Sequence, residues 1–438
     1  MGNSSLTEGN ITKAMASFAL PLILSGLLQQ LFNWVDAFIV GNVEGELALG
    51  AIGATSITCN LFITVMTGFT SGLSVLSAQR WGSGDKDAVR ELLHIFSLIL
   101  GCLFLIVTLL SEAFLDELLQ LLSTPPLLVP NARGYLRIIL IGIPFLALYN
   151  TYAAALRGMG DSRPAFCSVL VSSVFNAALD VILVMLLGLG VQGAAAATVF
   201  SEVLMTLFIV LYAHIRHPYL RDAKIRAFRT GAGDGARFGL PPALQSGLSS
   251  LGSVLLQRFM NSFGELVVAA VTTAYRVDSL ILLPVINFSS AIATTVAQNT
   301  GAGDRKRADK ALLIGLILMS LVSLALTAFV LAFGKRLIAM FGLNAATVET
   351  GSGFFNAIAV CYVVFGLASA FRGYIEGLGD MLYSGAAAIA ALLVRILCSY
   401  AFRPLWGWKT IAYAEVYSWA VMLLLYLART LYKRRRPS

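Results

Sequence analysis

The feature that most constrains this chain is the recurrence of long apolar runs separated by short polar loops. Twelve such runs cover approximately residues 14–40, 48–78, 91–111, 135–156, 165–187, 193–213, 238–263, 267–297, 311–333, 351–371, 381–402 and 410–431. A helix needs about 20 apolar residues to cross the hydrocarbon core of a bilayer, and each run supplies that length. Composition agrees: 58% of the 438 residues are hydrophobic and 12% are charged, about half the charged share of a soluble domain. Mean hydropathy is +0.81. These values exclude a soluble globular enzyme, a disordered chain and a coiled coil. The runs are unbroken where barrel strands would alternate, which excludes a β-barrel. The sequence therefore predicts an all-α polytopic membrane protein with twelve transmembrane helices. The longest runs exceed the bilayer and predict tilt or extension beyond it.

Orientation follows from the basic residues. With the N-terminus inside, the loops and tails on the inner side hold 22 Lys and Arg, and those on the outer side hold six: Arg133, Arg137, Lys335, Arg336, Arg403 and Lys409. Three more, Arg258, Arg276 and Arg395, fall within apolar runs. Cytoplasmic loops carry the excess of positive charge, so both termini are expected in the cytoplasm of a multi-pass protein of the cytoplasmic membrane. The same rule accounts for the formal charge of +8 without a nucleic-acid partner. The N-terminal residues 1–13 are polar and lack a signal-peptide pattern, so the first run is expected to remain as a helix. Cys59, Cys102, Cys167, Cys361 and Cys398 all fall in apolar runs and read as buried small hydrophobes. His94, His214 and His217 lie at membrane edges or in a loop, with no Cys or carboxylate at ligand spacing. No metal, haem or other cofactor is expected.

The chain repeats itself. AQRWGSGD at 78–85 matches AQNTGAGD at 297–304, and GMGD at 158–161 matches GLGD at 377–380, both offset by 219 residues. FALP at 18–21 similarly matches FGLP at 238–241. Two motifs at one offset indicate duplication. The expected organisation is two pseudo-symmetric six-helix bundles in a 6+6 repeat: an N-terminal lobe at 1–213, a basic cytoplasmic linker at 214–237 and a C-terminal lobe at 238–438. The linker's glycines lack a phosphate-loop context. With an even number of helices, each half enters the membrane the same way, as in transporters built from parallel repeats.

A charge in hydrocarbon costs at least ~2.5–3.5 kcal/mol on insertion scales and marks a functional candidate. The candidates are Asp36, Asp180, Glu202, Arg258, Arg276, Asp278, Arg395 and Glu415. At about 1.5 Å rise per residue, Asp36 lies about 6 Å, Asp180 about 12 Å and Thr198 about 7 Å inside the outer ends of the first, fifth and sixth runs. Asn176 shares a helix face with Asp180. Two carboxylates, an amide and a hydroxyl at similar depth suit a proton switch, because low dielectric disfavours the charged carboxylate. They equally suit Na⁺, which prefers oxygen ligands as hard cations do. The bland alternative is that the two acids tie helices together. Glu202, one turn from Thr198, lines the same cavity or snorkels into a polar interface.

The second half does not copy this set: Gln257, Arg395 and Ser399 stand at the positions of Asp36, Asn176 and Asp180. Arg276, Asp278 and Arg395 are candidates to line its part of a cavity, the alternative being internal salt bridges. Pro21 interrupts the first run, and Pro241–Pro242 repeat this in the seventh. Proline removes a helical hydrogen bond and permits a bend, so Pro21 reads as a hinge or as a static kink. The two GxGD segments read as turns in which Asp85 and Asp304 cap the following helix.

With these residues in place, the sequence resembles the multidrug and toxic compound extrusion (MATE) family of secondary transporters, in particular its DinF-like bacterial and archaeal branch. The resemblance rests on NWVDAFIVG at 33–41, AQRWGSGD at 78–85, LRGMGDSRP at 156–164, FNAALDVIL at 175–183 and AQNTGAGD at 297–304, and it spans the whole chain. It implies two six-helix lobes with a central cavity. It also implies antiport, in which H⁺ or Na⁺ enters while an organic drug or toxin leaves. Carried over residue by residue, the cation site would be Asp36, Asn176, Asp180 and Thr198, with Pro21 as the bending proline. Asn33, Glu202, Arg276, Asp278 and Arg395 are the cavity candidates, with Phe32, Trp34 and Tyr149 as apolar contacts. The expected partners are small organic substrates and the lipid bilayer, and the protein is expected to be a monomer and not an enzyme.

Three other classes make different demands on the sequence. A flippase of a lipid-linked precursor would need a cationic cavity, for which Arg258, Arg276 and Arg395 are available; the paired acids favour export. A membrane-embedded enzyme would need a His/Asp or metal cluster at membrane depth, where no histidine lies. A major-facilitator transporter would carry a DRxGRR-like loop where this chain has AQRWGSGD.

Overall fold

The computed structural model of the chain describes residues 6–122, 124–222, 225 and 228–435. Among them every regular element is helical. The first half contains α1 (Ile11–Glu44), α2 (Glu46–Gly82), α3 (Lys86–Ala113), the short α4 (Leu115–Leu121), α5 (Val129–Gly158), α6 (Arg163–Asp180) and α7 (Gly190–Arg216). The second contains α8 (Phe228–Asn261), α9 (Glu265–Ile281), α10 (Leu283–Gly301), α11 (Arg305–Ala339), α12 (Ala345–Ala359), α13 (Tyr362–Gly377), α14 (Met381–Ala401), α15 (Arg403–Trp406) and α16 (Thr410–Arg435).

Among the described residues, ten helical stretches are long and apolar enough to cross a membrane, and α12–α13 make an eleventh if counted as one span across their 47° bend. The twelfth, α8, reads as more polar because Gln245, Gln257, Arg258, several serines and Pro241–Pro242 dilute its apolar residues. Three spans are broken internally. Pro284 lies at the start of α10 after α9, Val360–Cys361 separate α12 from α13, and α6 passes into a π-helical turn at Val181–Leu186. On α11, Leu313, Ile317, Leu321 and Leu324 form an exposed leucine-rich stripe, the face such a helix presents to lipid.

The chain divides into two compact units, Leu20–Ala243 and Met1–Ala19 with Leu244–Ser438. The division falls inside two helices, beside Pro21 in α1 and beside Pro241–Pro242 in α8. This differs from the boundaries read from the sequence. The stretch expected as a linker at 214–237 comprises the end of α7, a 3₁₀ turn at Pro218–Arg221 and the first turns of α8. Lys224 and Arg226 of that basic stretch, and Arg436 at the C-terminus, lie outside the described residues. Helical hydrogen bonding propagates once begun, so α8 starts well before its apolar run.

In the Leu20–Ala243 unit, α5 is the central helix and packs on α2, α3 and α7. The start of α8 lies on α2 where Gly68 and Gly72 remove the intervening side chains. A Cβ on Gly68 would stand 2.7 Å from the Pro242 carbonyl oxygen, and one on Gly72 would collide with that of Phe238. In the other unit, α13 packs on α10, α11 and α16. There the N-terminal segment is tied to the α10–α11 turn: Leu6 is buried, Asn299 Nδ2 donates to its carbonyl at 3.1 Å, and Arg307 Nη2 donates to those of Glu8 and Gly9.

The repeat extends to turn conformation. Asp85 caps α3 by accepting from the Ala88 amide, and Asp304 caps α11 by accepting from that of Arg307. The preceding glycines, Gly84 and Gly303, have φ of 78° and 76°, a region that other residues rarely enter. The second motif diverges in its partners: Asp161 accepts from Tyr212 Oη at 2.8 Å, whereas Asp380 pairs with Arg429. The five cysteines are free and not fully buried, with Cys102 exposed. That corrects the expectation of buried cysteines, since apolar residues on an outer helix face meet lipid rather than a core.

Candidate functional site in the Leu20–Ala243 unit

Three chain segments bring the acidic residues to one place. Asp36 lies eight residues before the end of α1, Asp180 closes α6 where the π-helical turn begins, and Thr198 lies eight residues into α7. One helical turn further toward those ends, Val40, Val184 and Ala194 join a single apolar cluster with Ala48, Tyr135, Ile139, Val191 and Ala195. Residues four apart share a helix face, so Asp36, Asp180 and Thr198 are set on that cluster. α1 and α7 run further than the apolar runs suggested, so Asp36 and Thr198 sit deeper than the sequence placed them, whereas Asp180 stays six residues from the end of its π-helical turn. π-turns are frequent at functional sites, and this one starts at the buried acid.

The carboxyl groups of Asp36 and Asp180 are within hydrogen-bonding reach of each other. Asp180 is fully buried. Neither of its oxygens has a donor, nor does Asp36 Oδ1, and Asn176 Nδ2 one turn away on α6 is also unpartnered. Ionised carboxylates only accept hydrogen bonds, so two facing each other require a shared proton or a cation to bridge them. Thr198 Oγ1 donates to the Ala194 carbonyl at 3.1 Å, which leaves its oxygen lone pairs as acceptors. The set offers oxygen ligands to H⁺ or to a hard cation.

Glu202 belongs to the same region. Its Oε2 is buried without a partner and rests against α5 at Gly142, where any Cβ would collide with it. Tyr135 on α5 sits among the acids: Asp36, Asp180, Glu202 and Cys59 all act electrostatically on its hydroxyl. Sequence reasoning missed Tyr135 and Cys59, because a tyrosine near a helix start and a cysteine in an apolar run carry no pattern. Of the other candidates, Asn33 and Trp34 on α1 are exposed, Phe32 is half-buried, and Tyr149 is buried in the core rather than displayed in a cavity.

The second-half candidates separate. Arg276 is exposed while Asp278, two residues on, is buried and accepts from Tyr362 Oη. Residues two apart on a helix point away from one another, so Arg276 does not share a cavity wall with Asp278. Arg258 is exposed on α8. Arg395 instead pairs with Glu415 at 3.1 Å.

Comparison with known proteins bears on this arrangement. The sequence model of the MatE family matches the chain twice, at residues 21–182 and 241–401, following the internal repeat. A probable multidrug resistance protein of Bacillus subtilis, YpnP, is 28% identical over 86% of this chain and 84% of its own length. The multidrug export protein MepA of Staphylococcus saprophyticus is 23% identical over 96% of this chain and 95% of its own. A crystal structure of a MATE protein in complex with MaL6 superposes with a TM-score of 0.91 at 25% identity, covering both chains in full.

Proposed function

Because the chain belongs to the MatE family, we propose that it is an antiporter that exports small organic compounds, cationic or amphiphilic, in exchange for H⁺ or Na⁺. The relatives' names, multidrug resistance and multidrug export, support the substrate class. The observation that carries the coupling is the donor-less approach of Asp36 and Asp180. With the pair ionised, the site attracts a cationic substrate. With an ion between them the attraction is lost, α1 bends at Pro21, and the substrate leaves outward. Such exchange requires the ion to bind the two conformations with different affinity. Both termini lie in the cytoplasm in this reading, following the basic loops. The pairing of Arg395 with Glu415 at 3.1 Å weighs against the flippase alternative.

The test is efflux of a cationic dye from proteoliposomes, with Na⁺ and pH gradients imposed separately. One gradient should drive efflux in the wild type and neither in Asp36→Asn. Unchanged ion dependence in that variant overturns the reading.

A further inference from the structure

The Met1–Ala19 and Leu244–Ser438 unit holds a cavity of about 290 Å³, near the lower end of small-molecule sites, which span roughly 300–1,000 Å³. Its apolar walls are Leu256, Phe259, Met260 and Ile411, and its polar groups include Gln257, Tyr275, Arg395 and Glu415. Glu415 Oε2 takes two donors, Tyr275 Oη at 2.7 Å and Arg395 Nη2 at 3.1 Å. Arg395 Nη2 also donates to Tyr275 Oη at 2.8 Å. One guanidinium nitrogen therefore serves both contacts, and Nε and Nη1 remain for another acceptor. Asp278, the second acid of the region, is held by Tyr362 Oη and does not line the cavity.

An ion pair in a membrane helix bundle is expensive unless fully satisfied. This one borders open space and is only partly satisfied. A ligand entering the cavity must leave the buried charge balanced. A plain anion on Arg395 would strand Glu415, and a plain cation on Glu415 would strand Arg395. A ligand carrying both charges, a few ångströms apart, replaces one internal pair by two external ones with no net charge buried. We propose that this cavity is a substrate subsite for small amphipathic zwitterions, the carboxylate on Arg395, the ammonium on Glu415 and the apolar body on Leu256, Phe259, Met260 and Ile411. The subsite rests on the reading of the chain as an exporter and narrows its substrates.

Three probes share one indole body and differ in charge: tryptophan (zwitterion), N-acetyl-tryptophan (anion) and tryptophan methyl ester (cation). Binding of tritiated tryptophan to the purified full chain is measured by scintillation proximity, with the unlabelled compounds as competitors. Tryptophan should compete at least about tenfold better than either derivative. Arg395→Gln and Glu415→Gln should each weaken binding by about tenfold or more, the usual result of removing one partner of a buried charge pair. Ser253→Trp, at a lining residue outside the ion pair, should do the same. Equal competition by the ester or the acetyl compound, unchanged binding in the variants, or no saturable binding overturns the subsite. Ion-driven dye efflux on the same preparation keeps the two readings apart. Efflux without charge selectivity sinks the subsite alone, and charge-selective binding without ion-driven efflux sinks the antiport reading alone.

Discussion

Asp36 on α1 and Asp180 at the close of α6 meet acceptor to acceptor, with no donor on either oxygen of Asp180. They lie one turn from an apolar cluster to which their own segments contribute together with α2, α5 and α7. A group that the fold leaves unsatisfied costs stability and persists where its missing partner is part of a cycle.

In the proposed exchange the two acids share one bridging ion, so their substitutions should not add. Asp36→Asn and Asp180→Asn should each lower ion-driven efflux by about tenfold or more, and the double variant should be no worse than either single one, as for residues that act as a unit. Additive losses in the proteoliposome assay would show two independent sites.

Glu202 should trade stability against function. Its Oε2 is buried without a partner, so Glu202→Met should stabilise the protein by about 1–3 kcal/mol, read as a higher melting temperature in detergent. Transport should fall in the same variant. A lower melting temperature would mean that the carboxylate is a structural tie.

The contact of α2 with the start of α8 should tolerate no added volume. Gly68→Ala and Gly72→Ala each place a methyl against backbone, where neighbours cannot rotate away. Overpacking of this kind costs about 1–3 kcal/mol. Gly53→Ala, with open space around it, is the control and should melt with the wild type.

His217, in the loop after α7, should make stability depend on pH. Burial holds its imidazole below its ordinary value of 6.5, and its Nε2 has no partner. The unfolded chain takes up the proton first as pH falls, so stability should drop below about pH 6.5 and be fully present above it. Melting measured from pH 7.5 to 5 should decline less steeply in His217→Phe.

The spans were legible because bilayer thickness writes their length into composition. The GxGD turns were legible because only glycine readily takes φ near 78° and an aspartate must follow to cap α3 or α11. Asp36, Asn176, Asp180 and Thr198 are singled out by depth and resemblance, and the fold gathers Asp36, Asp180 and Thr198 one turn from one apolar cluster. Tyr135 could not, because its role comes from α5 lying across the acids and not from its own neighbours in sequence. Glu415 stands out in the sequence as a charge in an apolar run, but its partner does not: Arg395 is twenty residues away on α14. The place where the units divide was also hidden, since α1 and α8 each continue through it as one helix.

That continuity limits how the chain can be taken apart. Residues 1–19 complete the unit formed by the far half of the sequence, and residues 228–243 complete the other. A gene cut at its midpoint would yield two polypeptides, each carrying an arm that belongs to its sister and missing one of its own. Neither fragment would hold a complete unit, and only an exchange of arms could rebuild the two.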